Sequence, residues 1–472
     1  MAVSPTTPEV STSQGSWLSR FFNPASRGSS HRIEFIAGLT TFVTMSYIIF
    51  VNVQILSVTG LDPVALTIGT ILSAAVPTLI MGLWADLPWA LAPGMGYNAL
   101  FAYTVVSQNH FPVKAALALV FLDGLMFTIV VAGPWRSRII TGIPLNLKLA
   151  AGAGIGLFIA YIGLINSGVV TLSSSGPALG SFNSASVTIA FIGLVLTIAL
   201  LAFRVRGALL ISIIGTTVIS YVVGKFNAGA GAQLGVYALP TQLNGYIAAP
   251  DFGRFFAKGA FQMDFGALFN GNIAASAIVL FFLTFLVTDM MDSLGTFSGL
   301  ATKLGILDEK GNFPGFGKAF FVDAAAGMWG AITGNSTIAT FIESSSGVSE
   351  GGKTGVASVW TAFFFLLALF FVPFVGLVPT VATTPALVVV GYYMIEPIVK
   401  VNFSDPTDAI PAFLALLFMP LTYSIANGMF VGIVSYVVLK LVTGKVKDIS
   451  ATMWIFGILL LASQILNAVV GL

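Results

Sequence analysis

At "WALAPGMGYNALFAYTVV", Trp89 to Val106, a chain of apolar segments is interrupted: Pro93, Gly94 and Gly96 come just before the polar Asn98. A helix facing lipid is not built this way. Irregular backbone at membrane depth persists only where protein or a watery cavity satisfies its N–H and C=O groups. A second stretch, "GNSTIATFIESSSG", Gly334 to Gly347, has the same character, with Asn335, a run of hydroxyls and Glu343. Each follows a well-formed apolar segment and takes the third position in its half of the chain. Short, Gly- or Pro-interrupted polar segments in corresponding positions of two halves point to the binding site of an inverted-repeat transporter. An extended stretch feeding a half-helix also aims a positive dipole end at a cavity, which suits carbonyl oxygens of a ligand. A channel filter uses the same physics, and the competing reading makes each stretch a loop between ordinary spans.

The surroundings fit a membrane. Of 472 residues, 57% are hydrophobic and 8% charged, and the mean hydropathy is +0.96; no soluble globule has this composition. Fifty glycines let helix backbones approach closely where lipid supplies no hydrophobic drive for association. The net charge of +2 gives no field suited to nucleic acid. With no cysteine and only His31 and His110 for imidazole, metal sites are disfavoured, and neither a metal nor a cofactor is expected. Residues 1–32, rich in Ser, Thr, Pro and Gly, read as a flexible cytoplasmic tail. Within it "WLSRFF", Trp17 to Phe22, either lies on the membrane surface or is a chance aromatic cluster.

A span needs roughly 20 apolar residues. Strong candidates are 37–56, 65–85, 115–132, 149–165, 187–203 and 208–223, then 273–295, 319–332, 356–374, 386–399, 410–423, 428–442 and 453–470, with a linker at 225–270 between the halves. Arg20, Arg27 and Arg32 precede the first span. Arg136, Arg138, Arg204, Arg206, Lys303, Lys310, Lys353 and Lys400 fall in every second loop, which places the N-terminus in the cytoplasm. That phase requires the two interrupted segments to cross the membrane at least in part. Lys440, Lys445 and Lys447 read as following an outside end. That misfit is resolved if 410–423 and 428–442 are short paired half-spans broken by Pro411, Pro420 and Gly428, with 453–470 an extra or interfacial helix.

An aspartate at the bilayer centre costs about 2.5 to 3.5 kcal/mol on insertion scales, so each one needs a reason. Asp123 in "VFLDGLMF", Asp289 and Asp292 in "FLVTDMMDSLGTF" and Glu343 are the candidates. Asp289 and Asp292, three apart, share roughly one helical face. For Asp123 a structural hydrogen bond to a neighbouring helix is the favoured reading; for Asp289 structural and functional roles stand level. For Asp292 and Glu343, beside small residues and flanking the proposed cavity, the functional role is favoured. Asp323 and Glu396 read as interfacial. Carboxylates and Asn98 offer acceptors and a donor, and abundant phenylalanine offers stacking surfaces, which together fit a flat ring with N–H and C=O on its edge. A carboxyl in such a cavity can also take up a proton and release it when the cavity opens to the other side.

At these residues the sequence resembles the AzgA-type purine permeases of the nucleobase cation symporter-2, or nucleobase-ascorbate transporter, superfamily. The resemblance runs from about Arg32 to near the end, through "GLTTFVTMSYIIFVN", "APGMGYNALFAYTVV", "LKLAAGAGIGLFIAYIGL", "FLVTDMMDSLGTFSGLA" and "GNSTIATFIESSSGVSEGGKTG". It implies an all-α polytopic membrane protein with two inverted seven-span repeats and short discontinuous spans 3 and 10. Spans 1–4 (33–132) and 8–11 (271–378) would form a core, and spans 5–7 (133–224) and 12–14 (379–472, with the C-terminal segment) a gate. It further implies proton-coupled uptake of hypoxanthine, guanine or adenine across the plasma membrane, by a homodimer in contact with lipid. By motif, the eighth-span acid falls on Asp292, the tenth-span acid on Glu343 with Ser344 after it, the third-span asparagine on Asn98, and the subfamily's additional aspartate on Asp289. Glu343 would anchor the ring edge, with Asp292 as second contact or, like Glu343, proton carrier. Leu100 stands where relatives often have an aromatic, leaving Tyr97, Phe101 or Phe341 to stack on the ring.

Rival readings are an anion exchanger or channel on the same architecture, a permease selective for uracil or xanthine, and a membrane-embedded enzyme. The last lacks any metal or nucleophile motif. "GVSEGGKTG", Gly347 to Gly355, matches a phosphate-binding loop by letter, but no buried strand enters it, so Lys353 reads as a cytoplasmic loop charge instead.

Overall fold

The computed structural model describes residues 23–133, 142–173, 176–236, 239–308 and 313–470. "WLSRFF" and the charges at Arg20, Arg136, Arg138 and Lys310 lie outside these residues. Among the described residues ten helices are long and apolar enough to cross a membrane.

The first span is two helices, α1 (His31–Met45) and α2 (Ile48–Ser57), broken at Ser46 and Tyr47. It is followed by α3 (Pro63–Ile80), which Asp62 caps by accepting the Val64 and Ala65 N–H groups, both at 3.1 Å. The interrupted segment then forms β1 (Leu91–Pro93), α4 (Met95–Ala99) and wide π-type turns over Leu100–Gln108. The rest of the first half comprises α5 (Val113–Ala132), α6 (Leu145–Asn166), strands β2 (Val170–Ser173) and β3 (Gly176–Leu179), α7 (Ala185–Ala202) and α8 (Ala208–Phe226). Short helices α9 (Ala228–Leu234), α10 (Phe252–Lys258) and α11 (Phe265–Phe269) lead to the second half. There follow α12 (Ala275–Leu304), α13 (Phe316–Ile332), β4 (Ile338–Thr340), α14 (Ser344–Ser349), α15 (Gly355–Ala368), α16 (Val372–Val375), α17 (Thr380–Ile395), α18 (Pro406–Leu421), α19 (Ile425–Val442) and α20 (Ala451–Val470).

The two interrupted segments meet. β1 pairs antiparallel with β4, Leu91 opposite Thr340 and Pro93 opposite Ile338, so the backbone that leaves helical geometry in each half finds its hydrogen bonds in the other. The N-terminal ends of α4 and α14 therefore converge on one strand pair. Helix packing repeats the exchange: α5 lies on α13, and α15 lies on α3 and α1. Glycine meets glycine where α5 crosses α13 (Gly124 and Gly327) and where α15 begins beside the turn that follows α3 (Gly355 and Gly82). A Cβ on Gly124 would meet Met328 N at 2.5 Å, and one on Gly355 would meet Gly82 O at 2.0 Å. Outside this group α6 packs on α17 and α18, and α17 on α7 and α8.

Three expectations change. The stretch 225–270 is not a free linker: α10 rests on α3 and α11 on α5, and the Arg254 guanidinium grips Asp62 through Nε at 2.9 and 3.0 Å and Nη2 at 2.8 Å. The helical architecture also carries the exposed β2–β3 hairpin, whose outward-facing residues leave no alternating pattern to read. Finally, α18 and α19 are continuous helices packed on each other, not broken half-spans. Lys445 Nζ bonds Asp405 at 2.6 Å, and Asn146 exchanges hydrogen bonds with the backbone of Asn402. The end of α19 thus lies beside the starts of α6 and α18, on the same side as Lys400, and Lys440 is in phase with the earlier positive charges. α20 then packs against α12 and α19.

Candidate functional site

Glu343 stands at the N-terminal end of α14, and its Oε1 accepts the Tyr47 hydroxyl at 2.6 Å. Tyr47, fully buried in the break of the first span, was not singled out from sequence. A tyrosine in an apolar run reads as ordinary core, and the break itself has no glycine or proline to announce it. Asp292, midway along α12, accepts the Tyr97 hydroxyl at 3.2 Å; the same hydroxyl lies 3.3 Å from Thr288 O. The two acids expected to grip a ligand are thus held in parallel fashion, each by a tyrosine from the first half of the chain. Both remain partly open.

The other expected site residues are more enclosed. Asn98 accepts a hydrogen bond from the Ser336 hydroxyl, while its amide nitrogen has no partner. Ser344 is fully buried, its hydroxyl accepting the Ala90 N–H at 2.9 Å, so it ties the half-helix to the strand pair. Phe101 is buried in the π-type turns, and Phe341 and Tyr97 pack in the same core, which also takes in Leu100. From the facing group, Tyr393 of α17 lies within electrostatic reach of Glu343 and is 37% exposed. It is a further ring that sequence did not single out, because nothing local distinguishes it from Tyr392 beside it.

Asp289 and Asp123 are fully buried. Neither oxygen of Asp289 has a hydrogen-bond partner; Asp123 has one contact, with the Thr337 hydroxyl at 3.5 Å, and its other oxygen is unpartnered. Asp323 is not interfacial. It is fully buried and accepts the Thr340 N–H at 2.8 Å, the Thr340 hydroxyl at 2.6 Å and the Ser293 hydroxyl. The apolar run from 319 understates α13, which begins at Phe316 and buries Asp323 within its packed length. Its carboxylate therefore buckles β4 to α12. Glu396 is exposed.

Asn52, Thr70 and Asn335 form a second buried tie, with Asn52 Nδ2 at 2.5 Å from Thr70 Oγ1 and 2.7 Å from Asn335 Oδ1. In the phosphate-loop lookalike, Glu34 accepts the Lys353 N–H at 3.0 Å and the Thr354 N–H at 3.4 Å, and Asp86 accepts the Gly355 N–H at 2.8 Å. Two protein carboxylates fill the position a phosphate would need. Arg27 in turn pairs with Asp86 at 2.6 Å. Among the described residues no group of acids and histidines is arranged to hold a metal ion.

Comparison with known proteins agrees with this architecture. Residues 32–431 match the permease family Xan_ur_permease. Relatives include the adenine permease AdeP of Escherichia coli strain K12, 36% identical over 95% of this chain and 96% of that protein. The guanine/hypoxanthine permease PbuG of Bacillus subtilis strain 168 is also 36% identical, over 93% of this chain and 97% of its own length. Among solved structures, the transmembrane domain of the cyanobacterial bicarbonate transporter BicA aligns with a TM-score of 0.58 at 12% identity, covering 84% of this chain and 97% of that one. The inward-facing murine Slc26a9 anion transporter aligns at 0.60 and 12% identity, over 93% and 74%; both share the seven-plus-seven inverted-repeat fold. The chain belongs to the Xan_ur_permease family and is an integral membrane transporter of that fold, not an enzyme.

Proposed function

We propose that the protein imports purine nucleobases (hypoxanthine, guanine and adenine) by proton symport across the plasma membrane, with its N-terminus in the cytoplasm. The observation that carries this is the pair of partly open carboxylates, Glu343 and Asp292, each held by a tyrosine hydroxyl beside the strand pair. Each retains an oxygen free to accept an N–H from the edge of a flat ring. Asn98 supplies an amide N–H without a partner. Tyr97, Phe101 and Phe341, which share one core cluster, would supply stacking surfaces, and Tyr393, within electrostatic reach of Glu343, would approach from the facing group. Relatives named for adenine and for guanine and hypoxanthine support the substrate class.

In this reading the core is 33–132 with 271–378, the gate is 133–224 with 379–472, and substrate rides with the core as it slides against the gate. Two gates joined across a homodimer would hold still while each core moves. Grouping of α5 with α13 and of α15 with α1 and α3, apart from α6 with α17 and α18, supports the division. An anion exchanger on this fold is disfavoured, because among the described residues no cation acts on Asp292 or Glu343, and two carboxylates repel an anion. The test is binding to the purified protein, read by competition against radiolabelled adenine. Hypoxanthine and guanine should compete, while uracil and bicarbonate should not. Competition by bicarbonate or uracil alone would replace this reading with an anion or pyrimidine carrier.

A further inference from the structure

The expectation from sequence places the coupled proton on Asp292 or Glu343, yet each of those acids already has a tyrosine donor. We propose instead that the proton is seated between Asp289 and Asp123, behind the substrate space. The inference rests on the purine-uptake reading and assigns it a second site.

The geometry points to this pair because of what surrounds it. Gly124 and Gly327 bring α5 and α13 into backbone contact, with a Cβ on Gly124 reaching Gly327 Cα at 3.2 Å. Asp123 is the residue next to that crossing. A Cβ built on Gly327 would lie 3.6 Å from Thr337 Cγ2 and 3.9 Å from Asp289 Oδ2, so the crossing, Thr337 and Asp289 converge on one point. Asp123 reaches the same point through its contact with Thr337. Three carboxylate oxygens there, both of Asp289 and Oδ1 of Asp123, are buried without a hydrogen-bond partner.

Buried acceptors without donors are rare, and an ionised carboxylate taken out of water without a partner is among the costliest groups a fold can contain. The groups facing Asp289 are Asp123 from α5, Asp323 from α13, Asp292 from its own helix and the Tyr97 hydroxyl from α4, which bonds Asp292 and lies near Asp289 beyond normal hydrogen-bond geometry. None is a cation, and among the described residues neither Asp123 nor Asp289 takes part in an ion pair. Asp323 differs, since three donors satisfy it. A hard metal cation needs six or more oxygen ligands, or waters in their place, and the cluster lacks a metal-holding arrangement. A proton needs only one oxygen to sit on and a second to accept the O–H.

The seat is linked to the substrate. Asp289 and Asp292 lie on one face of α12, and the Tyr97 hydroxyl bonds Asp292 and lies beside Thr288 O, next to Asp289. A proton enters from the partly open Asp292, is stored between Asp289 and Asp123, and returns by the same route once the core faces the other side. Because α4, α5, α12 and α13 all belong to the proposed core, substrate and proton would move together.

The test uses the full chain in proteoliposomes with radiolabelled adenine and reads two quantities: exchange at equal pH, and accumulation under an imposed pH gradient. With one proton per purine, wild type should accumulate about tenfold per pH unit. Asp289→Asn should exchange adenine at the wild-type rate yet accumulate none against a gradient, and Asp123→Asn should shift in the same direction. Both variants accumulating as wild type does would overturn the inference while leaving purine uptake intact. So would loss of adenine exchange in both variants when their melting temperatures match wild type, because the pair would then belong to the substrate site. Accumulation driven by sodium at equal pH would also overturn it. Wild type exchanging no purine would overturn the uptake reading, and this inference with it.

Discussion

At the scale of single residues, side chains proposed to meet the ligand differ from side chains that hold the scaffold. Tyr47 positions Glu343 with a 2.6 Å hydrogen bond, of a class worth about 1.5 to 3 kcal/mol where the acceptor is ionised. Tyr47→Phe should therefore raise the KM for purine uptake by about tenfold to a hundredfold while leaving the melting temperature close to wild type. Ser344→Ala should do the reverse. It leaves the buried Ala90 N–H without its acceptor, at a cost of about 1 to 3 kcal/mol in stability, and should lower the melting temperature with KM unchanged. Uptake kinetics and thermal unfolding in detergent, run on both variants, check the division. If Ser344→Ala changes KM and not stability, its hydroxyl meets substrate in another state of the transport cycle. Glu343 and Asn98 stand out in the sequence as polar residues in apolar, broken segments, and Asp292 as an acid inside an apolar span. Tyr47, Tyr393 and the burial of Asp323 do not, because their roles depend on which distant residue faces them.

At the scale of elements, two interrupted spans make a structure that neither could make alone. The breaks at Pro93, Gly94 and Asn335 were visible as sequence, but their pairing was not, since strands of three residues carry no periodicity. The glycine crossings are equally hidden among fifty glycines. Gly124→Val should push α5 off α13, because even a Cβ would sit 2.5 Å from Met328 N. Overpacking of this kind costs about 1 to 3 kcal/mol or more, so folded protein recovered from membranes should fall sharply. Gly152→Ala, in α6 with nothing within 4 Å of its Cβ position, should be recovered as wild type. Fluorescence-detected size exclusion of the two variants is sufficient, and equal recovery would contradict the crossing as described.

At the scale of the whole molecule, the C-terminal lysines fall on the side of Lys400, because the end of α19 lies beside the starts of α6 and α18. The segment between the halves is tied down by charge as well as by packing. Burial pushes the Asp62 carboxyl up, but the Arg254 guanidinium and the Ala65 N–H outweigh it and hold the group below the usual carboxylate range. A lowered folded value means that this contribution to stability is complete above about pH 4, the ordinary aspartate value, and is lost as pH falls through the folded value. Protection of the 252–269 amides, measured against the intrinsic exchange rate at each pH, should accordingly fall in acid, and Arg254→Ala should lower it already at neutral pH. Unchanged exchange in both cases would mean that packing on α3 alone holds the segment.

The central claim is that Glu343 and Asp292 bind a purine for uptake driven by protons. Uptake of radiolabelled hypoxanthine by cells without purine permeases of their own tests it most directly, for wild type, Glu343→Gln and Asp292→Asn, each with and without an uncoupler. Wild type should take up hypoxanthine uphill until the uncoupler abolishes it, and both variants should lose uptake at wild-type abundance in the membrane. Uptake at the wild-type rate by both variants would contradict the claim.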